Sequence, residues 1–292
     1  MSVSKRFDIF LRNISLTDIQ KAEGASRREA VVKALNIHYW GSASGTSNSS
    51  YVGSWAKYTR IRPPRDVDIL FTLPISVFHR YEQRQGNKQS QLLQEIKIIL
   101  GNRFPNTSIR GDGPVVLVPF STYNVELIPS FNLTNGQSWI CVTTNGGRYT
   151  TADYIAEANE IKSSNDLTNG NTRNLIRMLK CWQYECGVQL KSFVLEILSV
   201  EFLRTWDNRD KSHIYYDWMI RDFFQFLLSK SNGCVFAPGT FQAISLGSAW
   251  QSKAYSALRN AQKACEYESK HLTNLAGDEW QKIFGTNIPK FL

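Results

Sequence analysis

The stretch that decides the fold reads GSWAKYTRIRPPRDVDILF over residues 53–71. Its last six residues, Asp66 to Phe71, are rich in strong β formers and predict a strand. Residues two apart on a strand point the same way, so Asp66 and Asp68 present both carboxylates to one face. Such close carboxylates repel each other unless a cation neutralises them. Hard divalent cations with oxygen ligands, Mg2+ above all, suit the pair. Upstream, Gly53-Ser54 reads as a turn leading into a short helix, which offers backbone N–H groups and a hydroxyl to a phosphate. A triphosphate beside paired metals is the machinery of nucleotidyl transfer: one ion activates the attacking hydroxyl and the other stabilises the leaving pyrophosphate. Taken alone, Asp-x-Asp is more often a solvated strand end. Here Val67, Ile69 and Leu70 mark a half-buried strand, where charged side chains need a reason to be.

A third carboxylate should come from a neighbouring strand. Glu126, inside YNVELIPSF over residues 123–131, is the candidate. Tyr123, Val125 and Leu127 alternate with Asn124, Glu126 and Ile128, as on a strand with one buried face. Val115–Val118 predicts a partner strand, and Gly146-Gly147 a turn.

Helical periodicity covers residues 5–37 through Phe7, Phe10, Leu11, Ile14 and then Ala30, Val31, Ala34, Leu35, with a capping box from Thr17 to Gln20 between two helices. Residues 41–50 are all small and predict a flexible loop. A helix over 88–100 should stop at Gly101. From about Thr151 the pattern is helical, at 151–162, 171–186, 190–205, 215–230 and 247–270. The expected fold class is therefore α+β, with residues 1–150 forming one lobe and residues 151–292 a helical lobe. Trp206, Trp218, Trp250 and Trp280 read as packing residues of the latter.

The 292 residues carry a formal net charge of +9, a hint of polyanionic ligands that does not separate nucleotides from nucleic acid. A hydrophobic fraction of 42% excludes a disordered chain. No apolar run approaches the ~18 residues of a membrane span, and Asp8 interrupts the place of a signal peptide's apolar stretch, so neither a membrane partner nor secretion is expected. Cys141, Cys181, Cys186, Cys234 and Cys265 are odd in number and contain no Cys-x-x-Cys, which predicts reduced thiols in a cytoplasmic protein. The four histidines show no ligand spacing.

The run from Gly53-Ser54 through Thr59-Arg60-Ile61-Arg62-Pro63 to Asp66-Val67-Asp68 resembles the signature of the DNA polymerase beta-like nucleotidyltransferase superfamily. Within it, the chain is similar to bacterial cyclic-oligonucleotide synthases, relatives of cyclic GMP-AMP synthase. Further matches are the Ile-Pro-Ser-Phe tail after Glu126, Lys180-Cys181-Trp182, and Leu190-Lys191-Ser192-Phe193 with Glu196. Together they span residue 51 to about 200. Gly41-Ser42 lies too far from Asp66 to be the motif's Gly-Ser.

The resemblance implies a mixed-sheet nucleotidyltransferase core and a helical lobe closing a central cleft over the nucleotides. It implies two Mg2+ ions, with Mn2+ as an alternative, held by Asp66, Asp68 and Glu126. It implies donor phosphates contacted by Lys180 and Ser192, alongside the Gly53-Ser54 turn already read as phosphate-binding. Arg173, Arg177 and Lys180 share one helix face, which reads equally as a solvated basic stripe. Ser192 also reads as a helix N-cap. The implied partners are NTP substrates and a downstream effector reached by a diffusible product; a regulatory protein, peptide or nucleic acid is a candidate trigger. The implied activity joins NTPs into a cyclic di- or trinucleotide in bacterial anti-phage signalling. Where the family usually has aspartate, this chain has Glu126. Two alternatives stay open: transfer to an RNA 3′ end or a protein hydroxyl, and a catalytically inactive nucleotide-binding homologue.

Overall fold

The structure, a computed structural model, describes residues 2–292. It opens with α1 (Ser2–Ile14) and α2 (Asp18–Trp40). The Thr17 side chain accepts from the Gln20 N–H, and the Gln20 side chain accepts from the Thr17 N–H, the expected capping box. Gly41, at φ 62°, ends α2 in a left-handed cap, so Gly41-Ser42 is a helix terminator. The small-residue segment expected to be a flexible loop is instead tied down. Buried Asn36 donates its amide to the carbonyls of Ser44 and Ser47 (2.9 and 2.8 Å), and the segment's end forms β1 (Ser49–Tyr51).

There follow α3 (Gly53–Lys57), β2 (Asp66–Thr72), α4 (Ile75–Glu82) and α5 (Lys88–Arg103). Gly101 lies inside α5 and does not stop it. Full burial of Leu100 and partial burial of Phe104, whose N–H bonds the Leu100 carbonyl, carry the helix past. Then come β3 (Arg110–Asp112), β4 (Val115–Pro119), β5 (Asn124–Asn132), β6 (Ser138–Val142) and β7 (Arg148–Ala152). The sheet order is β1-β2-β5-β4-β3, with β6 joined to β5 and β7 to β6. Only β2 and β5 run parallel, so the sheet is mixed. Val67, Ile69, Phe71, Val125 and Leu127 pack on one face against Val31, Val32 and Leu35 of α2 and Leu92, Leu93 and Ile96 of α5. That packing turns the alternate residues Asp66, Asp68 and Glu126 to the other face.

The remaining elements are α6 (Tyr154–Leu167), α7 (Asn171–Glu185), α8 (Ser192–Thr205), α9 (Tyr216–Ser229), β8 (Cys234–Phe236), β9 (Ala243–Ser245), α10 (Gln251–Ser269) and α11 (Thr273–Phe284). The first expected helix starts late because β7 holds the chain through Ala152. The β8–β9 hairpin and α11 are further elements that periodicity missed.

The chain divides into two compact units that interleave in sequence, rather than splitting once near residue 150. A sheet unit holds residues 16–58 and 64–158; a helical unit holds residues up to 15, 59–63 and 159–292. The physical reason is the apolar face of α1. Phe7 packs edge-on to Trp280 and Tyr216 (5.2 and 5.9 Å between centroids), and Phe10 packs on Phe284 (4.7 Å). Fully buried Arg6 anchors the same helix, pairing with Glu268 (2.8 Å) and donating to the carbonyls of Thr273, Pro289 and Lys290. Trp250 and Trp280 are core residues as expected, and Trp206 stacks on Phe202. Trp218 is 43% exposed, contrary to the packing reading. The five cysteines are free thiols. Among the described residues no helix is long and apolar enough to cross a membrane.

Candidate active site

The parallel pairing of β2 with β5 sets Asp66 opposite Asn124 and Asp68 opposite Glu126. The result is a two-rung ladder on the face away from the sheet unit's core. On the second rung acid faces acid: Asp68 and Glu126 share a hydrogen bond. Burial, then the charges of Asp68, Asp66 and Asp112, then that shared bond raise the Glu126 pKa from 4.5 to about 7. On the first rung the Asn124 amide donates to Asp66 Oδ1 at 3.1 Å. Among the described residues no three acid, imidazole or thiol side chains stand together as a group that could hold a metal ion as they are placed. Asp66, Asp68 and Glu126 are hard oxygen donors on one face of the sheet, two of them directly paired across the strands, which is the chemistry of a divalent-cation ligand set.

The Gly-Ser bend abuts this ladder. β1 pairs antiparallel with β2, and the Val52 N–H bonds the Asp68 carbonyl (3.1 Å), which delivers Gly53 beside the Asp68 side chain. Gly53 sits at φ +54°, and a Cβ there would stand 2.3 Å from Asp68 Oδ2. Both facts demand glycine. Half-buried Ser54 follows in α3. Trp55 donates to the Asp66 carbonyl (3.0 Å), and buried Lys57 pairs with Glu157 (2.8 Å), so α3 is anchored at two points.

In the helical unit, Lys180 on α7 is largely buried. Its ammonium donates to Glu196 Oε1 (2.6 Å) and Thr59 Oγ1 (2.9 Å), and the Thr59 hydroxyl donates to Glu196 Oε1 (3.0 Å). Ser192 is the first residue of α8, after the cap position at Lys191, and its hydroxyl donates to Gln183 Oε1 (2.6 Å) rather than capping the helix. Arg177 lies near Arg173 and Arg60; burial, with the charges of both, holds its pKa below the usual arginine range. Arg177 donates to Ser15 Oγ (3.1 Å) and to Asn174 Oδ1, and Lys180 to Glu196, so the shared helix face is not a fully solvated stripe.

The profile of the Second Messenger Oligonucleotide or Dinucleotide Synthetase domain matches residues 1–165. The chain belongs to this synthetase family. It is accordingly a nucleotidyltransferase, of the cyclic nucleotide synthase kind. A probable cyclic nucleotide synthase of Bacillus cereus (strain VD146) is 20% identical over 274 residues, covering 81% of each chain. The fold is also that of E. coli MS115-1 CdnC, solved with ATP (17% identity, 98% of each chain, TM-score 0.68) and, separately, in complex with HORMA-deltaN. The Vibrio cholerae DncV cyclic AMP-GMP synthase, solved with nonhydrolyzable GTP, superposes with a TM-score of 0.76 at 13% identity over 98% of this chain and 95% of that one.

In this synthetase, structure adds polar contacts that sequence reasoning passed over: in the sheet unit, Asn124 on Asp66 and the Lys57–Glu157 pair, and in the helical unit, Thr59 on Lys180. Asn124 carried a legible signal, lying two residues before Glu126 on the same strand face. Lys57 and Glu157 are 100 residues apart and had none.

Proposed function

We propose that the chain is a Mg2+-dependent synthase that joins NTPs into a cyclic di- or trinucleotide with release of pyrophosphate. The product would serve as a second messenger in bacterial anti-phage signalling, acting through a separate effector. The observation that carries this reading is the ladder itself: Asp68 facing Glu126, Asp66 on the adjoining rung, and Gly53 closed against Asp68. Glutamate in place of aspartate does not remove the third carboxylate, because the register sets it directly across from Asp68. That favours an active enzyme over an inactive binding homologue.

Asp66, Asp68 and Glu126 would hold the ions. When bound, Mg2+ activates the acceptor hydroxyl and stabilises the leaving pyrophosphate. Glu126 takes up the hydroxyl's proton on a carboxylate oxygen. Ser54 and the Gly53 bend hold donor phosphate oxygens with N–H and O–H donors. Lys180 and Ser192 are proposed phosphate contacts as well. Glu196 and Thr59 take two of the three Lys180 ammonium hydrogens, which leaves the third for a phosphate oxygen. ATP and GTP are the nucleotides seen in the E. coli and Vibrio cholerae relatives, and they are the first substrates to test. The HORMA complex of CdnC makes a regulatory protein a candidate trigger here.

The test is incubation of purified protein with Mg2+ or Mn2+ and each labelled NTP. A phosphatase-resistant small product supports the proposal, and the double substitution Asp66→Ala with Asp68→Ala should abolish it. Tailing of added RNA would instead establish the polymerase alternative. NTP binding without turnover, with and without a HORMA-type partner, would establish the inactive one.

A further inference from the structure

The two rungs of the carboxylate ladder are chemically unequal. Asp68 faces an acid, and Asp66 faces an amide, on strands held at fixed register. A fourth acid at position 124 would add one more negative charge to a face that already carries Asp66, Asp68 and Glu126. Asparagine matches the shape of aspartate and brings instead a donor. That donor is used: Asn124 Nδ2 lies 3.1 Å from Asp66 Oδ1. The amide's place is set by rigid backbone. The Asn124 N–H bonds the Arg65 carbonyl (2.8 Å), and the residue also pairs with Pro119 on β4.

We propose that Asn124 is a positioning residue for the metal site: its amide engages one oxygen of Asp66, fixes the carboxylate's rotation and leaves Oδ2 for the ion. This rests on the reading of Asp66 as a metal ligand. Groups that orient a ligating carboxylate by hydrogen bonding are worth about 10- to 100-fold in metal affinity or activity. A purely structural role would give a different signature, a loss of stability with metal affinity unchanged.

The experiment is Mn2+ binding to the full-length, nucleotide-free protein, followed by the electron paramagnetic resonance signal of the free ion. Asn124→Ala should weaken binding about 10- to 100-fold. In the turnover assay, the ion concentration for half-maximal rate should rise by a similar factor, and kcat at saturating Mn2+ should fall much less. Urea unfolding of the ion-free protein should be nearly unchanged. If Asn124→Ala does lower the unfolding midpoint, Asn124→Leu, which keeps the volume without the polar atoms, decides the matter by the same binding measurement. Wild-type affinity in the variants, or a fall in kcat with no change in ion dependence, overturns the inference alone. Absence in the wild type of Mn2+ binding that Asp66→Ala with Asp68→Ala removes overturns the metal reading and this inference with it.

Discussion

Gly53→Ala separates catalytic geometry from folding. The added Cβ would stand 2.3 Å from Asp68 Oδ2 and 2.9 Å from its Cγ, whereas ordinary contact begins near 3.4 Å. Something must move by about 1 Å, and the cheapest mover is the Asp68 carboxylate, the far end of a flexible side chain. A displacement of about 1 Å in a catalytic group can cost on the order of 100-fold in rate. The fold pays much less: alanine at φ +54° costs about 1–2 kcal/mol in a left-handed conformation. The expected result is a loss of about 100-fold in turnover of labelled NTP at saturating Mg2+, with cooperative urea unfolding retained at a modestly lower midpoint. Combined with Asp68→Ala, the two losses should not add, because both act on one group. Turnover within about threefold of wild type would show that the close approach of Gly53 to Asp68 has no part in the chemistry.

Three further outcomes are expected. Burial pushes the Asp217 carboxyl from 3.8 up to about 6, against the backbone N–H groups of Trp218 and Asp217 and the Arg221 charge and with the help of Glu268; among the described residues its Oδ1 has no side-chain partner. Its ionisation therefore destabilises the fold, a cost absent below about pH 4 that grows as pH rises and is complete above about pH 6. Asp217→Asn should gain about 1–3 kcal/mol in urea unfolding at pH 7.5 and nothing near pH 4, and a pH-independent difference would refute the assignment. Lys180→Met should cost about 3–5 kcal/mol by breaking a buried ion pair, and adding Glu196→Met should recover most of it while activity stays lost; additive losses in this double-mutant cycle would show the pair is uncoupled. Arg6→Met should destabilise the helical unit by about 3–5 kcal/mol and expose the backbone around Pro289 and Lys290 to hydrogen exchange, and unchanged protection there would contradict the clamp.

Strands with strict alternation or dense β formers, β2, β4 and β5, were legible from residues alone. So was the capping box at Thr17, because each depends on neighbours a few positions away. Short or weakly patterned strands were not. β1 emerges from a run of serines only because β2 offers it an edge, and β6 and β7 extend a sheet whose far end no local pattern announces. Gly101 reads as a stop by propensity, yet full burial of Leu100 with partial burial of Phe104 outweighs a cost of about 1 kcal/mol for glycine in a helix. The placing of α1 with the helical unit was hidden too, since its amphipathic pattern says that a face is buried and not against what.

Which side chains share a face is a local property of the backbone period, so the sequence alone determined that Asp66 goes with Asp68 and Asn124 with Glu126. Which rung faces which is a property of register between strands 58 residues apart, and only the packed sheet decided it. The same holds for the Lys180–Glu196–Thr59 network, whose members meet because burying an ammonium demands acceptors close by, wherever in the chain they lie.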